Sequence, residues 1–267
     1  MPKLMTTKNS PDFLCGQKEC PCEPLLHDGD IHAYYTLRGN VSDSASPYDG
    51  FNVCHYTGDS EEHVAECRGL LCGRFGVQSA RLIVPRQTHS VKVGIIDTIP
   101  VDSRRIEDVD ALVSSLDDII IGVSTADCVP VVFADSYAGV VGVAHAGWRG
   151  ALGGIVRNTL EAMVNLGADL SAIKVAIGPS ICVDCFEVGE EVASRFPVEC
   201  VERRNGWERP HVNLQRYVTG NLVQAGVREE NITPFVREMC TKCHPEKYFS
   251  ARYLGVGSGR VFTFVKR

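Results

Sequence analysis

Three residues with compatible chemistry sit where apolar runs meet loops. They are His89 in R-Q-T-H-S, Cys128 in T-A-D-C-V-P-V-V-F-A-D and His145 in A-H-A-G-W-R-G. Val129 to Ala134 and Val140 to Ala144 are Val-rich runs of strand length. Asp135, Ser136 and Gly139 between them are turn formers, so the two runs are expected to pair as a hairpin. Antiparallel pairing brings the start of one strand beside the end of the next, which puts Cys128 and His145 at the same sheet edge. Two imidazoles and a thiolate form a three-ligand zinc set whose fourth tetrahedral position stays open, the mark of a catalytic site. Zinc held in this way lowers the pKa of bound water towards about 7.

The residue types leave rivals standing. Read alone, His89 is a satisfied turn histidine. Cys128 and His145 could also serve a cysteine hydrolase as nucleophile and base, with Asp127 as orienter. A binding or scaffold protein with a structural metal is a third reading. An open three-ligand set speaks against that one, because structural zinc is enclosed by four protein ligands.

The elements that would carry these residues read as alternating strands and helices. Ile31 to Thr36 is a predicted strand, followed by a Ser/Asp/Pro/Gly loop over 40–50. A helix starts at Asp59 or Ser60, buries Val64, Cys67, Leu71 and Phe75 on one face, and ends at Gly76. Arg81 to Pro85 and Val91 to Ile96 are short strands flanking the polar cluster that holds Arg86, Gln87 and His89. Strands over 108–115 and 117–124 precede the hairpin. After Gly147 and Gly150 comes a helix with an apolar stripe from Leu152 to Val164, closed by Gly167. Its free N-terminal amides, together with Arg149, form a candidate seat for a phosphate or carboxylate. Ile173 to Gly178 is a strand, Glu187 to Phe196 a helix, Pro210 onward a helix ended by Gly226, and Val261 to Val265 the last strand.

Composition narrows the class. The chain has 267 residues, 44% hydrophobic and 22% charged, with a net charge of −6. That fits one globular domain and disfavours nucleic acid or an anionic membrane as partner. With no apolar signal at the N-terminus, a cytoplasmic location is expected, and the twelve cysteines are then reduced thiols. Cys54, Cys67, Cys72 and Cys200 are expected to be buried core residues. Cys15, Cys20 and Cys22 lie in an N-terminal tail spanning 1–30 and lack the spacing of a zinc ribbon. Cys182 and Cys185 form a C-x-x-C with no second pair nearby, so no zinc is assigned there. Cys240-T-K-Cys243-His244 has metal-like spacing, for which a turn with small buried residues is an equal explanation.

The words R-Q-T-H-S, T-A-D-C-V-P-V-V-F-A-D, A-H-A-G-W-R-G, A-I-G-P-S-I and C-T-K-C-H-P-E-K-Y-F-S together resemble the laccase-domain family, also called multicopper polyphenol oxidase-like. The resemblance runs from about Ile31 to the C-terminus, giving a domain over 31–267. It implies a mixed α/β (α+β) fold, a single domain of layered mixed sheets flanked by helices. It also implies Zn2+ bound by His89, Cys128 and His145. The activities it implies are phosphorolysis of adenosine, inosine, guanosine or methylthioadenosine, and deamination of adenosine to inosine. Purine nucleosides and phosphate are then the partners, and the chain is expected to be a monomer or weak homo-oligomer. A copper-dependent polyphenol oxidase is disfavoured, because the eight histidines include no His-x-His pair.

For deamination, an activated water attacks C6 of adenine while an acid protonates departing ammonia. For phosphorolysis, phosphate attacks the anomeric carbon as the purine leaves, so phosphate must be held and the leaving base stabilised. Candidate catalytic residues are Cys128, Arg149, Asp127, Gln87 and Arg86. Arg86, Arg149, Gly147 and Asn52 are the candidate substrate or phosphate contacts. Two departures bear on substrate preference. Leu37 stands where a T-T-R-x-G-G word has its arginine, and Ser180, Asp184 and Phe186 alter the I-G-P-C-I-G-P-C-C-Y-E-V word.

Overall fold

The computed structural model describes residues 16–267; Cys15 and the segment before it lie outside the described residues. In chain order the strands are β1 (Cys22–Asp28), β2 (Ile31–Thr36), β3 (Leu82–Ile83), β4 (Val93–Ile96), β5 (Ala111–Ser114), β6 (Ile120–Thr125), β7 (Val129–Asp135), β8 (Val140–Ala146), β9 (Lys174–Ile177), β10 (Val201–Glu202), β11 (His211–Val212), β12 (Ile232–Thr233) and β13 (Val261–Lys266). The helices are α1 (Glu61–Phe75), α2 (Trp148–Gly153), α3 (Ile155–Asn165), α4 (Glu190–Ala193), α5 (Leu214–Gln224) and α6 (Ala251–Leu254).

Two mixed sheets dominate. One has the order β1-β2-β13-β6-β3 and the other β12-β9-β7-β8-β5-β4, while β10 and β11 form a separate ribbon. Ile31, Ala33, Ile121, Val123 and Val265 from the first sheet share a core with Leu112, Val132, Ala134, Val141 and Val143 from the second, so the sheets pack face to face. The far face of the second sheet, carrying Val131, Phe133 and Ala144, packs against α3 and α5 through Ile155, Leu160, Met163, Val218 and Leu222. On the far face of the first sheet, Phe262 and Phe264 meet Cys67, Leu71 and Cys72 of α1. The protein is thus a mixed α/β stack of helix, sheet, sheet and helix.

This layering explains the Val-rich runs. Every residue of β7 and β8 is buried, so both faces must be apolar and the usual in–out alternation disappears. The hairpin register pairs Val129 with Ala146 and Pro130 with His145.

Local signals set the helix limits. Ser60 caps α1 by accepting from the His63 amide, and Gly76 ends it at φ 67. Several boundaries differ from the sequence reading. The helix expected after Gly147 is broken in two at Gly154, whose φ is 92, a left-handed turn that glycine adopts freely. Glu187 to Phe196 yields only the four-residue α4. Pro210 precedes a short strand, and α5 starts only after Asn213, whose side chain accepts from the Arg216 amide. Residues 22–28, assigned from sequence to the tail, form β1 on the edge of the first sheet, and Cys20 is fully buried. Cys54, Cys67, Cys72 and Cys200 are buried as expected. Among the described residues no helix is long and apolar enough to cross a membrane.

Arg38, next to the altered Leu37, is fully buried. Its guanidinium donates to the carbonyls of Ser44, Ser46, Asp49 and Pro245 at 2.6–3.1 Å and lies 4.7 Å above the Phe249 ring. It ties the 40–50 loop to the C-terminal segment. Arg38→Leu strips a charged donor from four carbonyls and is expected to lower unfolding free energy by on the order of 3 kcal/mol or more. Urea unfolding checks this; a loss below about 1 kcal/mol would contradict the bracing role.

Candidate metal centre

The centre lies at one end of the six-stranded sheet. Cys128 immediately precedes β7, and His145 is the penultimate residue of β8. His89 sits in the loop between β3 and β4, and Asp110 directly before β5. Because β4 and β5 run parallel to each other and β5 runs antiparallel to β8, all four positions meet at the same edge.

The donor atoms of His89, Cys128 and His145 lie within 4.8 Å of one another. Cys128 Sγ is 3.7 Å from His89 Nε2, and the two imidazole rings stand 4.8 Å apart at 67°. With Zn–N near 2.0–2.1 Å and Zn–S near 2.3 Å, a tetrahedral site separates N and S by about 3.6 Å. The Cys128–His89 separation matches that spacing. Among the described residues this group holds no fourth ligand, so a bound ion would keep an open position.

Asp110, a residue the sequence reading passed over, holds the group together. It is fully buried. Its Oδ1 accepts from His145 Nδ1 at 2.7 Å and from the His89 amide at 3.0 Å. Its Oδ2 accepts from the Thr88 and Ser90 amides and the Ser90 hydroxyl, at 2.7–3.1 Å. Its carbonyl accepts from the His145 amide at 2.7 Å. Engagement of Nδ1 leaves His145 Nε2 for the metal, the carboxylate–histidine pairing that fixes tautomer and ring orientation.

The electrostatics follow. Burial raises the Asp110 pKa, but its hydrogen bond and attraction to His145 outweigh that and bring it to about 2. Burial also raises the Cys128 pKa, and the facing imidazoles overcome it to bring the thiol down to about 6. For His145, burial works against the charged form, while Cys128 and Asp110 lift its pKa to about 9. These directions favour a thiolate facing an imidazolium that is backed by a carboxylate. A metal cation takes the place of the imidazolium proton.

Gly147 leaves room for this arrangement. A Cβ there would lie 2.8 Å from His89 Cδ2 and 3.0 Å from Cys128 Sγ. Its φ is −63, so the requirement is for space rather than backbone freedom. The helix it opens, α2, is only six residues long.

The remaining sequence candidates divide. Arg149 is exposed, its guanidinium 4.3 Å over the Trp148 ring, and among the described residues no carboxylate pairs with it. Arg86 is exposed and pairs with Glu107 at 3.4 Å. Asp127 adjoins Cys128, but its carboxylate accepts from Thr241 Oγ1 at 2.7 Å and the Arg252 amide at 2.6 Å. These bonds hold the loop that leads into Cys128. Gln87 is buried, and both ends of its amide meet the Ser124 backbone. Asn52 is fully buried, donating to Asp59 and accepting from the Cys54 and Arg260 amides. Both side chains brace loops. One reading is corrected: the Cys182–Cys185 pair does have a second pair close by, Cys240 and Cys243, brought to it by the fold.

Residues 31–267 match the model of a family described as multi-copper polyphenol oxidoreductase laccase. The chain belongs to this family. It is 43% identical over 249 residues to adenosine deaminase RL5 from an unknown prokaryotic organism, covering 89% of this chain and 94% of that one. It is 38% identical over 214 residues to a purine nucleoside phosphorylase of Deinococcus radiodurans, covering 78% and 81%. The fold is that of the Bacillus licheniformis hypothetical protein YfiH, with a TM-score of 0.80, 23% identity and coverage of 91% and 96%. YlmD from Geobacillus stearothermophilus superposes with a TM-score of 0.77 at 26% identity over 90% and 92% of the two chains.

Two substitutions test the centre. Asp110→Asn should weaken metal binding about 10–100-fold, read by competition with a chromogenic chelator; unchanged affinity would remove Asp110 from its role. Gly147→Ala should displace His89 or Cys128 and reduce metal affinity while far-UV circular dichroism stays unchanged. Full affinity in that variant would show that the ligands have room to move.

Proposed function

We propose that the chain is a zinc-dependent purine nucleoside enzyme, acting by phosphorolysis of adenosine, inosine, guanosine or methylthioadenosine and by deamination of adenosine. The observation that carries this reading is the open His89–Cys128–His145 group, held by a buried carboxylate, in a chain similar to a named adenosine deaminase and a named purine nucleoside phosphorylase. His89, Cys128 and His145 would hold zinc rather than copper, since imidazole and thiolate in a tetrahedral set suit it. When bound there, zinc supplies Lewis acidity and lowers the pKa of water.

The chain's own residues do the rest. Asp110 keeps the His145 tautomer fixed and spares the site any reorganisation. Arg149, free of a carboxylate partner among the described residues, is the first candidate to hold phosphate against the anomeric carbon. Arg86 would join it by exchanging Glu107 for the incoming anion. Gly147 keeps the approach to the ligands clear. Asp127 acts by holding the Cys128 loop. The enzyme would work in the cytoplasm on free nucleosides, as a monomer or weak homo-oligomer.

A second reading rests on the same chain of groups. The Cys128 thiolate, His145 and Asp110 have the order of a cysteine hydrolase triad. That reading leaves His89, 3.7 Å from the sulfur, without a task.

The discriminating experiment incubates the zinc-loaded protein with adenosine, with and without phosphate, beside a folded Cys128→Ala variant. Adenine formed only with phosphate, or inosine formed without it, is the expected result, with both activities and bound zinc lost in the variant. No turnover of any of the four nucleosides would overturn the proposal. Alkylation of Cys128 in metal-free protein, with loss of an esterase or amidase activity, would favour the hydrolase.

A further inference from the structure

The second cysteine group lies apart from the ligands of the centre described above. Cys182 and Cys185 follow β9, and Cys240 and Cys243 follow β12, with 58 positions between corresponding members. The four Sγ atoms lie within 4.8 Å of one another, and Cys185 Sγ is 3.5 Å from Cys243 Sγ. Four sulfurs at 2.3 Å from one zinc stand about 3.8 Å apart along the edges of a tetrahedron. Two disulfides would instead draw the sulfurs into separate pairs near 2.05 Å. Four mutually close thiols match the first pattern.

The backbone is built to the same end. Each C-x-x-C closes as a tight turn. The Cys185 and Phe186 amides donate to the Cys182 carbonyl at 3.0 Å, and the His244 amide to the Cys240 carbonyl at 3.2 Å. The two turns are locked side by side. The Ser180 amide donates to the Met239 carbonyl and the Thr241 amide to the Ser180 carbonyl, both at 3.2 Å. The Cys182 amide points at Cys240 Sγ at 3.2 Å, the kind of N–H donation that supports a ligating thiolate. Cys182 and Cys240 are buried, Cys185 is half-buried and Cys243 is exposed. The group is therefore walled on the inside and reachable from solvent, so an ion can enter.

We propose that Cys182, Cys185, Cys240 and Cys243 form a structural zinc site, distinct from the His89–Cys128–His145 centre. Four protein thiolates close the coordination sphere, which gives the ion a structural rather than a catalytic task. The task is local. The segment after β9 and the segment after Met239 both grip Asp127, the first through the Ile181 amide on its carbonyl at 2.9 Å, the second through Thr241 on its carboxylate at 2.7 Å. Zinc here staples the two segments together and thereby fixes the loop that ends in Cys128.

The test uses the full chain purified under reducing conditions with zinc. A His89→Ala/His145→Ala variant isolates the second site, and a Cys185→Ser/Cys243→Ser variant, altered at the two least buried sulfurs, removes it. The expected result is one zinc per chain in the histidine variant by elemental analysis, with X-ray absorption reporting four sulfurs at about 2.3 Å. Zinc per chain should be one lower in the cysteine variant than in the unaltered protein, with its secondary structure preserved by circular dichroism. A histidine variant that folds but carries no zinc, with its four cysteines freely alkylated or joined as disulfides by mass spectrometry, overturns the proposal. So does a sulfur count below four. Should the histidine variant not fold, equal zinc content in the unaltered protein and the cysteine variant overturns it.

Discussion

A single buried carboxylate organises the end of the molecule that carries the candidate metal centre. Asp110 accepts from three successive backbone amides, one hydroxyl and one imidazole. A carboxylate without solvent is strongly disfavoured unless its lone pairs are filled, and here they are filled by the groups that must be positioned. The energetic need of the carboxylate and the geometric need of the ligands are met by the same bonds. Taking the charge away would loosen the 88–90 loop and the His145 ring together, because the same carboxylate binds both.

The sheets decide where that carboxylate can sit. β7 and β8 run through the middle of the stack and are buried on both faces, so their sequence is committed to packing along its whole length. Chemistry is possible only where the strands leave the stack. Cys128 and His145 stand at that exit, and the register that pairs Pro130 with His145 sets the thiol and imidazole side by side. A slip of one residue would turn His145 to the opposite face of its strand, away from Asp110 and Cys128.

The hairpin with Cys128 and His145 at its ends and the α1 helix with its Ser60 and Gly76 ends were legible because each rests on a local pattern, Val runs around a turn and a capped apolar stripe; His89 joined the pair only through the family resemblance of its R-Q-T-H-S word. Asp110 was not legible. In D-V-D-A-L-V it looks like the polar entry to a strand, and its role depends on partners 20 to 35 positions away. The pairing of the two C-x-x-C words was hidden for the same reason. It comes from the placement of β9 beside β12, a parallel contact that spacing alone does not reveal. Asn52 and Gln87 show the other side of the same difficulty: a polar residue near a recognised word invites a functional role, and their bonds to neighbouring loops are not visible in the sequence.

Backbone strain ties these observations together. Two non-glycine residues next to or within the ligand set adopt left-handed conformations, His89 at φ 62 and Asp127 at φ 85. Such positions cost on the order of 1–3 kcal/mol each and persist only where the surroundings over-determine them. For His89 the surroundings are the Asp110 carboxylate, which binds its amide and those on either side. For Asp127 they are Ile181, Thr241 and Arg252, two of which adjoin the second cysteine group. The two strained turns present an imidazole and a thiol to the same point in space, and each is held by a separate anchor. Loosening either anchor allows its turn to relax towards ordinary backbone geometry, which swings one donor away from the other. The fold thus holds the ligand geometry through a balance of local strain and buried polar contacts, and this places the sensitivity of the centre in residues that need not touch a metal at all.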